Sequence, residues 1–88
     1  MYMAWRIEYS AEAFATLRRI PANLARTIRG KVERLAADPY APNNNVRALK
    51  GRSGYRLRVG NWRVLYELRG DALLVHVMAV APRGGAYD

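Results

Sequence analysis

The sequence predicts a two-layer α+β domain in the order β-α-α-β-β-β. Three observations predict it. Apolar residues in the first half recur at helical spacing, the spacing drops to two from Tyr55 onward, and a Gly60-Asn61 pair splits that alternating region. A helical hairpin should then cover one face of a mainly antiparallel four-stranded sheet, with the first strand added at the free edge of the last. With 88 residues there is room for one domain, spanning 1–88.

Trp5-Arg6-Ile7-Glu8-Tyr9 alternates apolar and polar, as a half-buried strand does. Ser10 follows as an N-cap, and Glu12 sits in the first turn, where the helix end is positive. Phe14, Leu17 and Ile20 form a short apolar stripe, which Pro21 stops before opening the next helix. There Leu24, Ile28, Val32 and Leu35 lie on one helical face, and Asp38-Pro39 ends it. The segment Asp38 to Asn45, with Pro39, Pro42 and three consecutive asparagines, is a loop inside the domain.

Tyr55 to Val59 and Trp62 to Leu68 are the arms of a hairpin about Gly60-Asn61. Gly70-Asp71 reads as a second two-residue turn, followed by a strand from Ala72 to Val80. The first turn sets Val59 against Trp62, Arg58 against Arg63 and Arg56 against Leu65. Arg56, Arg58 and Arg63 therefore share one face. Leu57, Val64, Tyr66 and Leu68 share the other, together with Leu73, Val75 and Val77. The expected core is Leu24, Ile28, Val32, Leu35, Leu57, Val64, Leu68, Val75 and Val77. His76 falls on the arginine face beside Leu65, where a lone histidine in an apolar strand is structural more often than catalytic.

Fifteen Lys and Arg against seven Asp and Glu give a net charge of +8, and thirteen of the fifteen are arginine. Such a balance suits a polyanionic partner, and the guanidinium fork suits phosphate. Between Val46 and Arg69 stand Arg47, Lys50, Arg52, Arg56, Arg58, Arg63 and Arg69, with Glu67 as the only acid. An uninvolved surface mixes its signs. Like charges facing each other across strands destabilise a sheet, so Arg58 opposite Arg63 points to an anion site. Arg26 and Arg29 belong to a second basic cluster on the longer helix. With no cysteine, disulfides, thiolate metal sites and cysteine nucleophiles are excluded. The scattered carboxylates do not suggest a two-metal cluster. No signal-peptide core is visible, and the longest apolar stretch, Ala72 to Ala81, is too short to span a membrane; a cytoplasmic protein is expected.

Leu49-Lys50-Gly51 and the block Gly54-Tyr55-Arg56-Leu57-Arg58-Val59-Gly60-Asn61-Trp62-Arg63-Val64-Leu65-Tyr66-Glu67-Leu68 resemble the central signature of the RelE/ParE superfamily of type II toxins. The opening strand, the Pro39 loop and the closing Ala81-Pro82-Arg83-Gly84-Gly85-Ala86-Tyr87 match it in position. The paired strand arginines and the late arginine and tyrosine are closer to the RelE branch. That resemblance implies a ribosome-dependent mRNA endonuclease without metal or other cofactor, restrained by a cognate antitoxin. In such an enzyme the 2′-hydroxyl attacks the adjacent phosphate. It implies catalytic roles for Arg56, Arg58, Arg63, Arg83 and Tyr87, and substrate contacts from Lys50, Arg47, Arg52, Arg26 and Arg29. RelE-branch relatives carry lysines where this chain has Arg56 and Arg58, and arginine is a poor base. The acceptor of the 2′-hydroxyl proton stays open among Lys50, Tyr87, His76 and a ribosomal RNA group. The alternative is the ParE branch, which inhibits DNA gyrase by binding alone.

Overall fold

The computed structural model describes residues 4–84. The elements run β1 (Arg6–Tyr9), α1 (Ala11–Arg19), α2 (Ala22–Ala37), β2 (Val46–Ala48), β3 (Tyr55–Val59), β4 (Trp62–Arg69) and β5 (Leu74–Pro82). They form one sheet of order β1-β5-β4-β3-β2. β1 docks at the free edge of β5, as expected, and runs parallel to it. The other pairings are antiparallel.

The sheet has five strands where the sequence suggests four. Val46-Arg47-Ala48 pairs with β3, but three residues are too few to display an alternation. The Gly60-Asn61 hairpin forms in the expected register, Val59 to Trp62 and Arg58 to Arg63. Gly60 has φ 57°, the positive value that a type II′ turn takes at its first central residue.

The second turn differs from expectation. Arg69 pairs with Leu74, so four residues, Gly70 to Leu73, make the connection. Leu73 is in the left-handed region (φ 49°) and 40% exposed, outside the core where the shorter turn would place it. The register moves by two residues, an even number, so Leu74 to Val77 keep their expected faces. His76 consequently lies opposite Glu67 rather than Leu65. A bulge then leaves Met78 between the pairs Tyr66–Val77 and Leu65–Ala79.

Ser10 ties α1 to that bulge. Its Oγ accepts from the Ala13 amide at 3.0 Å, as an N-cap does, and donates to the Met78 carbonyl at 2.6 Å. Both helices pack on the face that carries Leu57, Val64, Tyr66, Val75, Val77 and Val80. Of the expected core, Ile28, Val32, Leu35, Leu57, Val64, Val75 and Val77 are buried, while Leu24 and Leu68 are partly buried against it. Phe14 departs from the expected stripe: it is exposed, with the Arg18 guanidinium 5.7 Å from its ring centre. Ala13, Thr16 and Leu17 line the buried side of α1 instead. Among the described residues no helix is long and apolar enough to cross a membrane.

Candidate active site

The face of the sheet away from the helices holds the basic residues. Arg58 stands opposite Arg63, and Arg47 opposite Arg56. Arg56 faces Leu65, which makes Arg63 and Glu67 its diagonal neighbours. Arg83 follows β5, where its amide donates to the Asn61 carbonyl at 2.7 Å. That bond brings the end of the chain back to the β3–β4 turn, next to Arg63.

Four arginines thus meet around one point. The Nε and Nη1 atoms of Arg63 are shielded from solvent. Loss of hydration lowers the pKa of its guanidinium, and the fields of Arg56, Arg83 and Arg58 lower it further. The group stays cationic, because arginine is not deprotonated in proteins. Arg56 Nε is also shielded, with no hydrogen-bond partner among the described residues. Beneath the arginines is an apolar floor: Leu65, Ala79 and Ala81 are all buried on this face. Their stems are supported from below while their charged ends converge.

Chemically, this arrangement suits an anion. Guanidiniums are planar donors suited to phosphate oxygens, and a dry floor strengthens their pull on developing negative charge.

The remaining sequence candidates divide by position. Arg47 joins the cluster from the edge strand. Lys50 and Arg52 are exposed in the connection between β2 and β3, with Arg52 Nη2 4.0 Å from the Met78 sulfur. Arg26 and Arg29 are exposed on α2, in the opposite layer, and Arg29 lies over the Tyr9 ring at 5.8 Å. Tyr87 falls outside the described residues. Two parts of this face are not foreseen from the sequence: the floor, and the pairing of His76 Nδ1 with Glu67 Oε1 at 3.8 Å. The alternation of β4 gave Leu65 its face but not its burial.

The family profile described as "ParE toxin of type II toxin-antitoxin system, parDE" matches residues 7–87. The chain belongs to this toxin family. No curated protein sequence matches the toxin. Its fold is that of solved toxins at low identity. The archaeal RelE–RelB complex from Pyrococcus horikoshii OT3 is 24% identical with a TM-score of 0.80, over 96% of this chain and 100% of the other. The RelBE2 toxin–antitoxin complex from Mycobacterium tuberculosis is 18% identical with a TM-score of 0.77, over 92% and 100%. The YoeB/ParE toxin from Agrobacterium tumefaciens is 17% identical with a TM-score of 0.74, over 89% and 98%. The toxin is therefore one half of a type II toxin–antitoxin pair, and an antitoxin is its cognate partner.

Proposed function

We propose that the toxin is a metal-independent endoribonuclease of the RelE kind, acting in the cytoplasm on mRNA held by the ribosome. The single observation that carries this reading is the convergence of Arg56, Arg58 and Arg83 on Arg63. A surface that only docks a protein gains little from four crowded guanidiniums. A site that stabilises a pentavalent phosphate gains directly.

In this reading the substrate's 2′-hydroxyl loses its proton and its oxygen attacks the neighbouring phosphorus. The bond from phosphorus to the 5′-oxygen breaks, and the leaving oxygen takes up a proton. The products are a 2′,3′-cyclic phosphate and a 5′-hydroxyl. Arg63 clamps the phosphate that becomes pentavalent, Arg56 and Arg58 share its added charge, and Arg83 stands at the leaving oxygen. Tyr87 stacks on a substrate base. Arg47, Lys50 and Arg52 hold flanking phosphates, and Arg26 and Arg29 dock the helical layer on RNA.

A second reading is favoured by the family profile itself, which is named for ParE. In it the toxin inhibits DNA gyrase by protein contacts, without chemistry. Induction in a bacterial host separates the two. Primer extension on translated mRNA gives cuts at codon spacing for the nuclease, whereas intact mRNA with double-strand DNA breaks identifies the gyrase inhibitor.

A further inference from the structure

The arginine face does not end at the arginines. Toward the opposite end of the sheet it opens into a groove of about 530 Å³. Arg52, Gly54, Tyr55, Glu67 and Arg69 are among its walls. That size is within the range of small-ligand sites.

Three features shape it. Gly54 leaves it open: a Cβ there would lie 2.8 Å from the Tyr66 carbonyl oxygen, and φ is +111°, so a side chain is excluded. Glu67 gives it a partly exposed acceptor, 35% accessible, with His76 beside it. Arg52 and Arg69 give it cations. Glu67 follows Arg63 by four residues on the same strand and the same face, about 14 Å along the chain. A nucleotide neighbouring the clamped phosphate reaches the groove.

We infer that this groove is a nucleobase subsite selective for guanine, with Glu67 as its reader and Arg52 and Arg69 holding the adjoining phosphate. The inference rests on the endoribonuclease reading above. An ionised carboxylate only accepts hydrogen bonds. Guanine offers two parallel donors, N1–H and N2–H, on its Watson–Crick edge. Adenine and cytosine each pair one donor with an acceptor there, and that acceptor would meet a carboxylate oxygen. Single-stranded RNA bases are read on this edge.

The test uses ribosomes programmed with mRNAs that differ by one base in the decoded codon. Cleavage rates are compared for the wild type and for Glu67→Gln. The wild type is expected to prefer guanine at one codon position by about tenfold. Glu67→Gln is expected to lose the guanine preference and to favour adenine and cytosine instead, because an amide offers one acceptor and one donor, which both of those edges match. Equal wild-type rates for all four bases at every position overturn the subsite, as does an unchanged profile in a folded Glu67→Gln variant. Absence of cleavage on every mRNA overturns instead the nuclease reading on which the subsite rests.

Discussion

Arg58 and Arg63 face each other across β3 and β4, and the next residue in their row, on β5, is Ala81. Arg47 opposite Arg56 repeats the pattern one step along. Like charges directly opposite destabilise an antiparallel pair. If the face receives a polyanion, as proposed, the free toxin carries a repulsion that binding relieves. Arg58→Gln should therefore raise the melting temperature of the free toxin. The gain should shrink as sodium chloride is added, since surface charges are screened within about 10 Å at 0.1 M salt. Thermal denaturation of both proteins in a salt series checks this. A lower melting temperature for Arg58→Gln at low salt would mean that Arg58 is structurally paired.

The arginines on the two layers should behave differently. In the nuclease reading, Arg63→Ala and Arg83→Ala each remove a donor from the point where charge develops, which typically costs about 10²–10³ in rate. Arg26→Ala and Arg29→Ala remove contacts remote from that point. They should weaken ribosome binding and flatten its salt dependence while single-turnover cleavage persists. Binding and single-turnover rates measured on the same ribosomes separate the two patterns.

How much of this could be read from the sequence follows from the range of the interactions involved. The Gly60-Asn61 turn is local, and it fixed the Arg58–Arg63 pairing without help from the rest of the fold. The length of the Gly70 turn is not legible in the sequence, because it depends on Leu73 adopting a positive φ, which an aliphatic side chain does not advertise. The longer turn moves His76 from Leu65 to Glu67 but preserves its face, because the slip is even. β2 is held by its partner strand rather than by its own pattern. Arg83 was placed at the site by resemblance alone; the bond to Asn61 that brings it there joins residues far apart in sequence.

Gly54 should be irreplaceable for steric reasons. Its φ is +111°, and an added Cβ would meet the Tyr66 carbonyl at 2.8 Å, with the Met78 and Leu49 side chains close behind. Backbone oxygen in a central strand cannot move aside as a flexible side chain can. Gly54→Ala should lose on the order of 1–3 kcal/mol of stability. Urea denaturation followed by circular dichroism gives the number.

Ser10 joins two elements through one hydroxyl, accepting from α1 and donating to the bulged strand. Ser10→Ala should cost about 1–2 kcal/mol through the lost cap. It also leaves the Met78 carbonyl without that donor. Ser10→Asp keeps the cap acceptor but cannot donate to Met78, so a urea midpoint between those of wild type and alanine assigns the remainder to the bulge contact.

Tyr66 gives the toxin an alkaline limit. Its ring is buried, stacked on Tyr55 at 5.5 Å between centroids. Its hydroxyl is shielded, with no hydrogen-bond partner among the described residues. Burial raises its pKa well above the ordinary phenol value, and Tyr55 raises it further. Above about pH 10 the unfolded chain releases this proton while the folded chain keeps it. The unfolded state then binds fewer protons, so stability falls as pH rises. Burial also raises the pKa of Tyr9, with Glu33 adding to the rise and Arg29 opposing it, so Tyr9 adds to the same decline. Urea midpoints measured on both sides of pH 10 should decline in the wild type and decline less in Tyr66→Phe. At neutral pH that substitution removes a buried hydroxyl without breaking a bond, so Tyr66→Phe should match or exceed the wild type there. A large neutral-pH loss would instead reveal a partner for the hydroxyl.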